Sequence, residues 1–182
     1  MRVIAGTAKG RKLMAPSAMD IRPTTDRMKE NLFNVLTAQI PEARFLDVFS
    51  GTGAIGIEAL SRGAKSAVLV DAASATLIYK NLAITGFTDR AIVLSYDFSV
   101  ALRKLNKEHM EFDIVFMDPP YKKGYAPRAV KLINESHLLS PQGSLVVELS
   151  SDEVLPPISN FYLYKTKRYN TSIFYFLERS SQ

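Results

Sequence analysis

Beyond Pro41 the chain alternates short apolar runs with amphipathic stretches of helical period, and this alternation limits the fold more than any other feature. The runs cover 45–49, 67–70, 91–94, 114–117 and 145–149. Helical spacing appears between them, near 54–62, 74–86, 98–107 and 126–137. Strands that alternate with helices pair in parallel, cross over right-handed and take helices on both sheet faces. The end of the chain breaks the pattern. Segments 161–167 and 172–177 are rich in aromatic and β-branched residues, and the gap around Tyr169, Asn170 and Thr171 is too short for a helix. These two segments are expected to form an antiparallel hairpin at the sheet's edge. Five strands and the hairpin make about seven, in an α/β, Rossmann-like three-layer sandwich.

The front of the chain reads differently. In residues 1–16, Val3 and Ile4 form one apolar stub, Gly6 and Gly10 permit a turn, and Leu13 and Met14 follow. After Pro16 and Pro23, Thr24 or Thr25 can cap a helix with Asp26 in its first turn and a stripe of Met28, Leu32, Val35 and Leu36. The expected division is an N-terminal β-hairpin extension over 1–20 and a main domain over 21–182. The start, MRVIAGTAKGRKL, lacks the apolar core of a secretory signal, and no apolar run approaches a membrane span. The chain has no cysteine, which excludes disulfides and thiolate-zinc sites and fits a cytoplasmic location. His109 and His137 are the only histidines, so no metal centre is expected. The net charge of +5 fits a polyanionic partner. Its early members, Arg2, Lys9, Arg11, Lys12, Arg22, Arg27 and Lys29, outnumber Asp20, Asp26 and Glu30. A solvated surface arm would explain them equally well.

The first apolar run ends in Asp47-Val48-Phe49-Ser50-Gly51-Thr52-Gly53-Ala54-Ile55-Gly56, a strand, a glycine turn and a helix start. Gly51 and Gly53 let the backbone turn tightly against a ligand, and Gly56 lets the helix approach the strand. Such a turn serves a dinucleotide or S-adenosylmethionine. Asp47 favours the latter, since a carboxylate there opposes a pyrophosphate but accepts from an ammonium. It could also simply cap the turn. Asp71 ends the second run, where an acid can accept from ribose hydroxyls or cap the next helix. Asp97 ends the third and can meet an adenine amino group or cap helix 98–107.

The fourth run leads straight into Asp118-Pro119-Pro120-Tyr121. In an open α/β sheet, ligands bind at such carboxyl ends. Two prolines fix the backbone and remove its donors, leaving the Asp118 carboxylate and the Pro119 carbonyl as acceptors at one point. An exocyclic amino group on a nucleobase offers two donors but holds its lone pair in the ring. Paired acceptors orient it toward a methyl donor, and Asp118 can also accept its proton. Tyr121 can stack on an unpaired or extruded base. A rigid turn is the plain alternative, but that reading leaves the pairing with the glycine turn unexplained.

With both motifs in hand, the chain resembles the bacterial RsmD-type methyltransferases, class I S-adenosylmethionine-dependent enzymes that methylate N2 of a guanine in 16S ribosomal RNA. The resemblance rests on Arg2-Val3-Ile4-Ala5-Gly6, Gly10-Arg11-Lys12-Leu13, Arg22-Pro23-Thr24-Thr25-Asp26-Arg27, Lys29-Glu30, Leu32-Phe33-Asn34, 47–56, 58–64 and 118–121. It implies a seven-stranded sheet with the last strand inserted antiparallel, and a loop at 22–25 over the cleft. It further implies cofactor contacts from Asp47, Phe49, Ser50, Gly51, Thr52, Gly53, Asp71, Asp97, Arg22 and Thr24. Asp118, Pro119, Pro120 and Tyr121 would be catalytic, and Lys9, Arg11, Lys12 and Arg22 would hold RNA. The implied partner is 16S ribosomal RNA, free or in a small-subunit assembly particle; a monomer is expected because nothing in the sequence suggests an interface helix. The chain departs from the family at Asp71, where Glu is usual, and at Ala5, where Gly is common. Two other readings fit less of the sequence: an amino-group methyltransferase for adenine or protein glutamine, and a non-catalytic RNA-binding assembly factor.

Overall fold

The computed structural model describes residues 1–16, 26–121 and 123–180. The capping residues Thr24 and Thr25 lie outside this range. The elements run α1 (Asp26–Val35), β1 (Arg44–Val48), α2 (Ala54–Ser61), β2 (Ser66–Val70), α3 (Ala75–Thr85) and β3 (Ala91–Leu94). They continue as α4 (Phe98–Lys107), β4 (Phe112–Met117), α5 (Tyr125–Asn134), β5 (Leu139–Ser150), β6 (Phe161–Arg168) and β7 (Ser172–Arg179). Seven strands form one sheet in the order β3-β2-β1-β4-β5-β7-β6. The first five are parallel, and β7 runs antiparallel to both of its neighbours.

The expected architecture is therefore present, with the last strand inserted antiparallel as the resemblance implies, and with two differences of detail. Of the terminal hairpin, β6 takes the sheet edge while β7 sits inside, as its buried run Ser172–Leu177 requires. β5 begins at Leu139, ahead of the apolar run at 145, because Phe112 pairs with Leu139 before the register jumps to Ile114 opposite Ser144. That excursion carries Pro141, which has no amide proton to give a ladder. Helix α5 stops at Asn134, and the Ser136 hydroxyl then accepts from the Leu138 amide in place of another turn.

Period-two alternation divides the core. Phe45, Leu69, Ile114, Phe116, Val146, Phe174 and Phe176 face α1, α2, α3 and the N-terminal segment. Leu46, Val48, Val68, Val115, Val147 and Tyr175 face α4 and α5. Asp47, between Leu46 and Val48, thus points toward α2.

Residues 1–14 fold back on themselves through Val3 N to Arg11 O (3.0 Å), Gly10 N to Val3 O (2.9 Å) and Leu13 N to Met1 O (3.1 Å). Val3, Ala8 and Leu13 are buried in the main core. An ionic cluster built on the fully buried Glu58 and Lys29 secures the segment. Glu58 of α2 accepts from the Ile4 and Ala5 amides (2.8 and 3.0 Å) and from Arg62 Nε (2.8 Å). Lys29 Nζ lies 3.7 Å from Glu58 and donates to the Arg2 carbonyl. Burial lowers the Lys29 pKa, and Glu58 opposes that shift. At Gly6 (φ +81°) an added Cβ would lie 1.8 Å from the Ser61 carbonyl oxygen, so the segment reaches α2 only because this residue is glycine. Replacing Glu58 with Gln leaves Lys29 buried without its counter-charge. Glu58→Gln is expected to cost about 3–5 kcal/mol in urea denaturation and to speed hydrogen exchange at Ile4 and Ala5. An unchanged midpoint would show that this cluster does not hold the segment.

Candidate active site

The carboxyl ends of four parallel strands are tied in a row. Asp71 N donates to Leu94 O (3.2 Å), Ser50 N to Val70 O (2.9 Å) and Asp118 N to Val48 O (3.4 Å). These bonds set the residues just past β2, β1 and β4 side by side along one edge. Beside them, Tyr121 Oη donates to Glu148 Oε1 of β5 at 3.4 Å.

The glycine turn occupies the middle of this edge. Gly51 and Gly53 have φ of +54° and +79°, and a Cβ built on Gly51 meets nothing within 4 Å, so that face of the turn is open. On the inner side Asp47 is 1% exposed, and its Oδ2 accepts from the Gly56 amide at 2.9 Å. An added Cβ on Gly56 would lie 3.0 Å from Leu69 and 3.3 Å from that carboxylate, so the helix approaches the strand as closely as it does only without one. Asp71 Oδ2 accepts from the Gly51 amide (2.9 Å), and its Oδ1 accepts from the Ala73 and Ser74 amides (3.0 and 2.8 Å). The Thr52 carbonyl accepts from Asn81 Nδ2 (2.9 Å). Phe49 holds φ +68°, a sparsely populated conformation for a bulky residue, and is clamped by Phe98 (ring centroids 4.9 Å) and Tyr125 (6.2 Å).

Residues 1–178 match the family described as Conserved hypothetical protein 95. The ribosomal RNA small subunit methyltransferase D of Escherichia coli is 36% identical over 170 residues, covering 92% of this chain and 84% of that protein. Our chain belongs to this methyltransferase family. The solved Escherichia coli protein yhhF superposes with a TM-score of 0.86 at 35% identity, over 100% of this chain and 99% of that one. The methyltransferase structure SMU.776, complexed with SAH, shares the fold at a TM-score of 0.68 and 16% identity, over 82% of this chain and 48% of that one.

The methyl donor of such an enzyme is S-adenosylmethionine, and the residues present fit it. Asp47 and Asp71 bond to the turn itself, with Asp118 near Asp47 and Glu148 beyond Asp118, a setting that suits a ligand bearing an ammonium and a sulfonium and opposes one bearing a pyrophosphate. Burial pushes Asp47 up to about 7 against the Gly56 hydrogen bond, with the Asp118 charge adding to the rise. Burial likewise raises Asp118 well above the usual carboxylate range, and Glu148 raises it further.

The structure brings Asp47, Phe49, Ser50, Gly51, Thr52, Gly53, Asp71, Asp118, Pro119, Pro120 and Tyr121 to one edge. Asp97 closes β3 on the same edge, where its Oδ1 accepts from the Ser99 amide (2.9 Å) and caps α4. Arg22 and Thr24 lie outside the described residues. Lys9, Arg11 and Lys12 are exposed, but Lys9 is not at this edge. Its neighbours Thr7 and Ala8 donate to Ser61 at the far end of α2 (2.9 and 3.0 Å), about 12 Å along the helix from the glycine turn. Sequence reasoning missed two residues. Glu148 sits in an apolar run, where a lone acid at a strand's carboxyl end was the available signal. Asn81 accepts from the Met14 amide (2.7 Å) and donates to Met14 O and Thr52 O, so it joins the N-terminal segment to the turn. Its position in α3 gave no such hint.

The raised Asp47 pKa predicts a definite pH dependence. A carboxyl that titrates near 7 when folded and near 3.8 when unfolded leaves the native state increasingly penalised from about pH 4 up to 7. Asp47→Asn is therefore expected to gain stability relative to the parent across that window, with a constant gap above pH 7. Urea midpoints measured from pH 4 to 8.5 would check this, and a gap independent of pH would contradict it.

Proposed function

We propose that this chain transfers a methyl group from S-adenosylmethionine to the exocyclic N2 amino group of a guanine in 16S ribosomal RNA, as a cytoplasmic and monomeric enzyme. The observation that carries the reading is Asp118-Pro119-Pro120-Tyr121 at the end of β4, next to the glycine turn at the end of β1, in a chain of this family. Relatives named as ribosomal RNA small subunit methyltransferases support the substrate class. We read residues 1–20 as the N-terminal extension and 21–182 as the methyltransferase domain.

The glycine turn and Asp47 would hold the cofactor's amino-acid portion, Asp71 its ribose, and Asp97 its adenine, walled by Phe49 and Phe98. Arg22 and Thr24 would complete the cleft. When bound, the cofactor supplies an electrophilic sulfonium methyl, which the amine nitrogen takes as the carbon–sulfur bond breaks and S-adenosylhomocysteine is left. Asp118 and the Pro119 carbonyl accept hydrogen bonds from the two amino N–H groups and hold the nitrogen lone pair toward that methyl. Buried Pro119 and rigid Pro120 keep the two acceptors fixed. Tyr121, steadied through its hydroxyl by Glu148, stacks on the base. The amine loses one proton after methyl transfer, and the Asp118–Glu148 pair is placed to take it. Lys9, Arg11 and Lys12 would contact RNA phosphates away from the reacting base.

The test is transfer of labelled methyl to small-subunit RNA, free and in particles, from cells lacking this protein. Label in N2-methylguanine, reduced about 100-fold or more in kcat by Asp118→Ala with cofactor affinity kept, is the expected result. Absence of label from both RNA forms, with cofactor bound, would refute the assignment. A second outcome follows from the carboxyl pair. Asp118 must be ionised to accept, and burial together with the Glu148 charge holds its pKa high, so activity should fall on the acid side. Glu148→Gln removes that charge, and the acid limb of the kcat/KM profile should move to lower pH.

A further inference from the structure

The reactive edge continues past Glu148 into an open cleft of about 490 Å³ between the start of α1 and the β6–β7 turn, lined by Arg27, Asn31, Lys167, Arg168, Tyr169 and Asn170 among others. Sheet register places it beside the catalytic carboxyls. Glu148 of β5 stands opposite Phe174 of β7, and the Tyr169 ring packs on Phe174 with centroids 5.4 Å apart. The turn is rigid. Ser151 N donates to Thr171 O (3.1 Å), Tyr169 N to Ser172 O (2.8 Å), and Arg168 to the Ser151 carbonyl (3.2 Å). From Asp118 across β5 to β7 is two strand spacings, roughly 10 Å. A few nucleotides of extended RNA would cover that distance.

The lining carries three cations and no acid among the described residues. Arg27 and Lys167 are exposed. Burial raises the Tyr169 pKa, with Asn31 beside its hydroxyl and the Arg27 charge nearby. The cleft thus pairs cations with neutral hydrogen-bonding groups, the combination that holds phosphodiester oxygens. It adjoins a site whose own carboxyls repel RNA. We propose that this cleft binds the RNA backbone flanking the target nucleotide and anchors the strand while the base enters beside Asp118. The inference rests on the RNA reading given above and deepens it: of the cations in the sequence arm, Arg27 stands in this cleft, whereas Lys9 lies by the far end of α2.

The test uses the full chain with Arg27→Gln and Lys167→Gln together. A control double variant, Lys65→Gln with Lys107→Gln, removes the same charge elsewhere. Two readouts are taken: binding of a small-subunit RNA fragment as a function of salt, and the methylation KM and kcat. The expected result is an RNA KM raised about tenfold with kcat and cofactor affinity kept, and a log–log salt slope reduced by about 1.4, near 0.7 per single-strand phosphate contact. The control should keep the parent slope. A cleft variant whose slope and KM match the parent's overturns the proposal. So does a loss equal to the control's, or a defect seen only with protein-containing particles and absent on free RNA, which would make the cleft a protein contact. RNA binding is read without turnover, so a parent that binds RNA but does not methylate it would refute the proposed reaction and still decide the cleft.

Discussion

The hydrogen bond from the Gly56 amide to the buried Asp47 carboxylate constrains everything built on this sheet edge. It joins the end of β1 to the first turn of α2 across the glycine loop. That closure holds Gly51 and Gly53 with one face open and brings the helix onto Leu69 at contact distance. It also requires a carboxyl in the core, which the protein accommodates by raising its pKa toward neutrality. A carboxyl in the core is costly as structure, and the proposed function gives it a use, since a cationic ligand group at the loop would partner it. In that reading, stability and ligand recognition draw on the same side chain.

The rest of the edge repeats this economy. Asp71 spends its carboxylate on three backbone amides, from Gly51, Ala73 and Ser74, and so organises both the loop and the start of α3. Asp97 caps α4 while standing at the end of β3. For both, the capping and ligand readings that the sequence left open are compatible, because one carboxylate has two oxygens and several lone pairs. Phe49 is another such case: its left-handed backbone costs energy, and two aromatic rings restrain it at the site where the loop turns.

Most of the fold was legible because it is written in local periodicity. The alternation at 45–49, 67–70 and 114–117 predicted buried parallel strands, and β1, β2 and β4 lie there within a residue or two. The glycine spacing and Asp118-Pro119-Pro120-Tyr121 were legible because unusual residues must sit at fixed offsets. What was not legible depended on distant partners. Glu148 becomes part of the site only through the pairing of β4 with β5, which no local pattern encodes. Asn81 matters through Met14, which is 67 residues away. Leu139 joins β5 only because Phe112 faces it. The buried Lys29–Glu58 pair was equally hidden, since charged residues at helical spacing read as solvent-facing.

The insertion of β7 between β5 and β6 bears on how the molecule is made. β6 is synthesised before β7, yet within the sheet it pairs with β7 alone. Until β7 emerges, the exposed residues of β6 have no place in the sheet and β5 presents an open edge. The turn at Tyr169–Thr171, which flanks the reactive carboxyls, is set only when that last strand docks. A chain still being translated can thus have its glycine loop folded while the outer wall of the cleft is missing. The outer wall of the cleft is therefore completed in one late step, when β7 enters the sheet between β5 and β6.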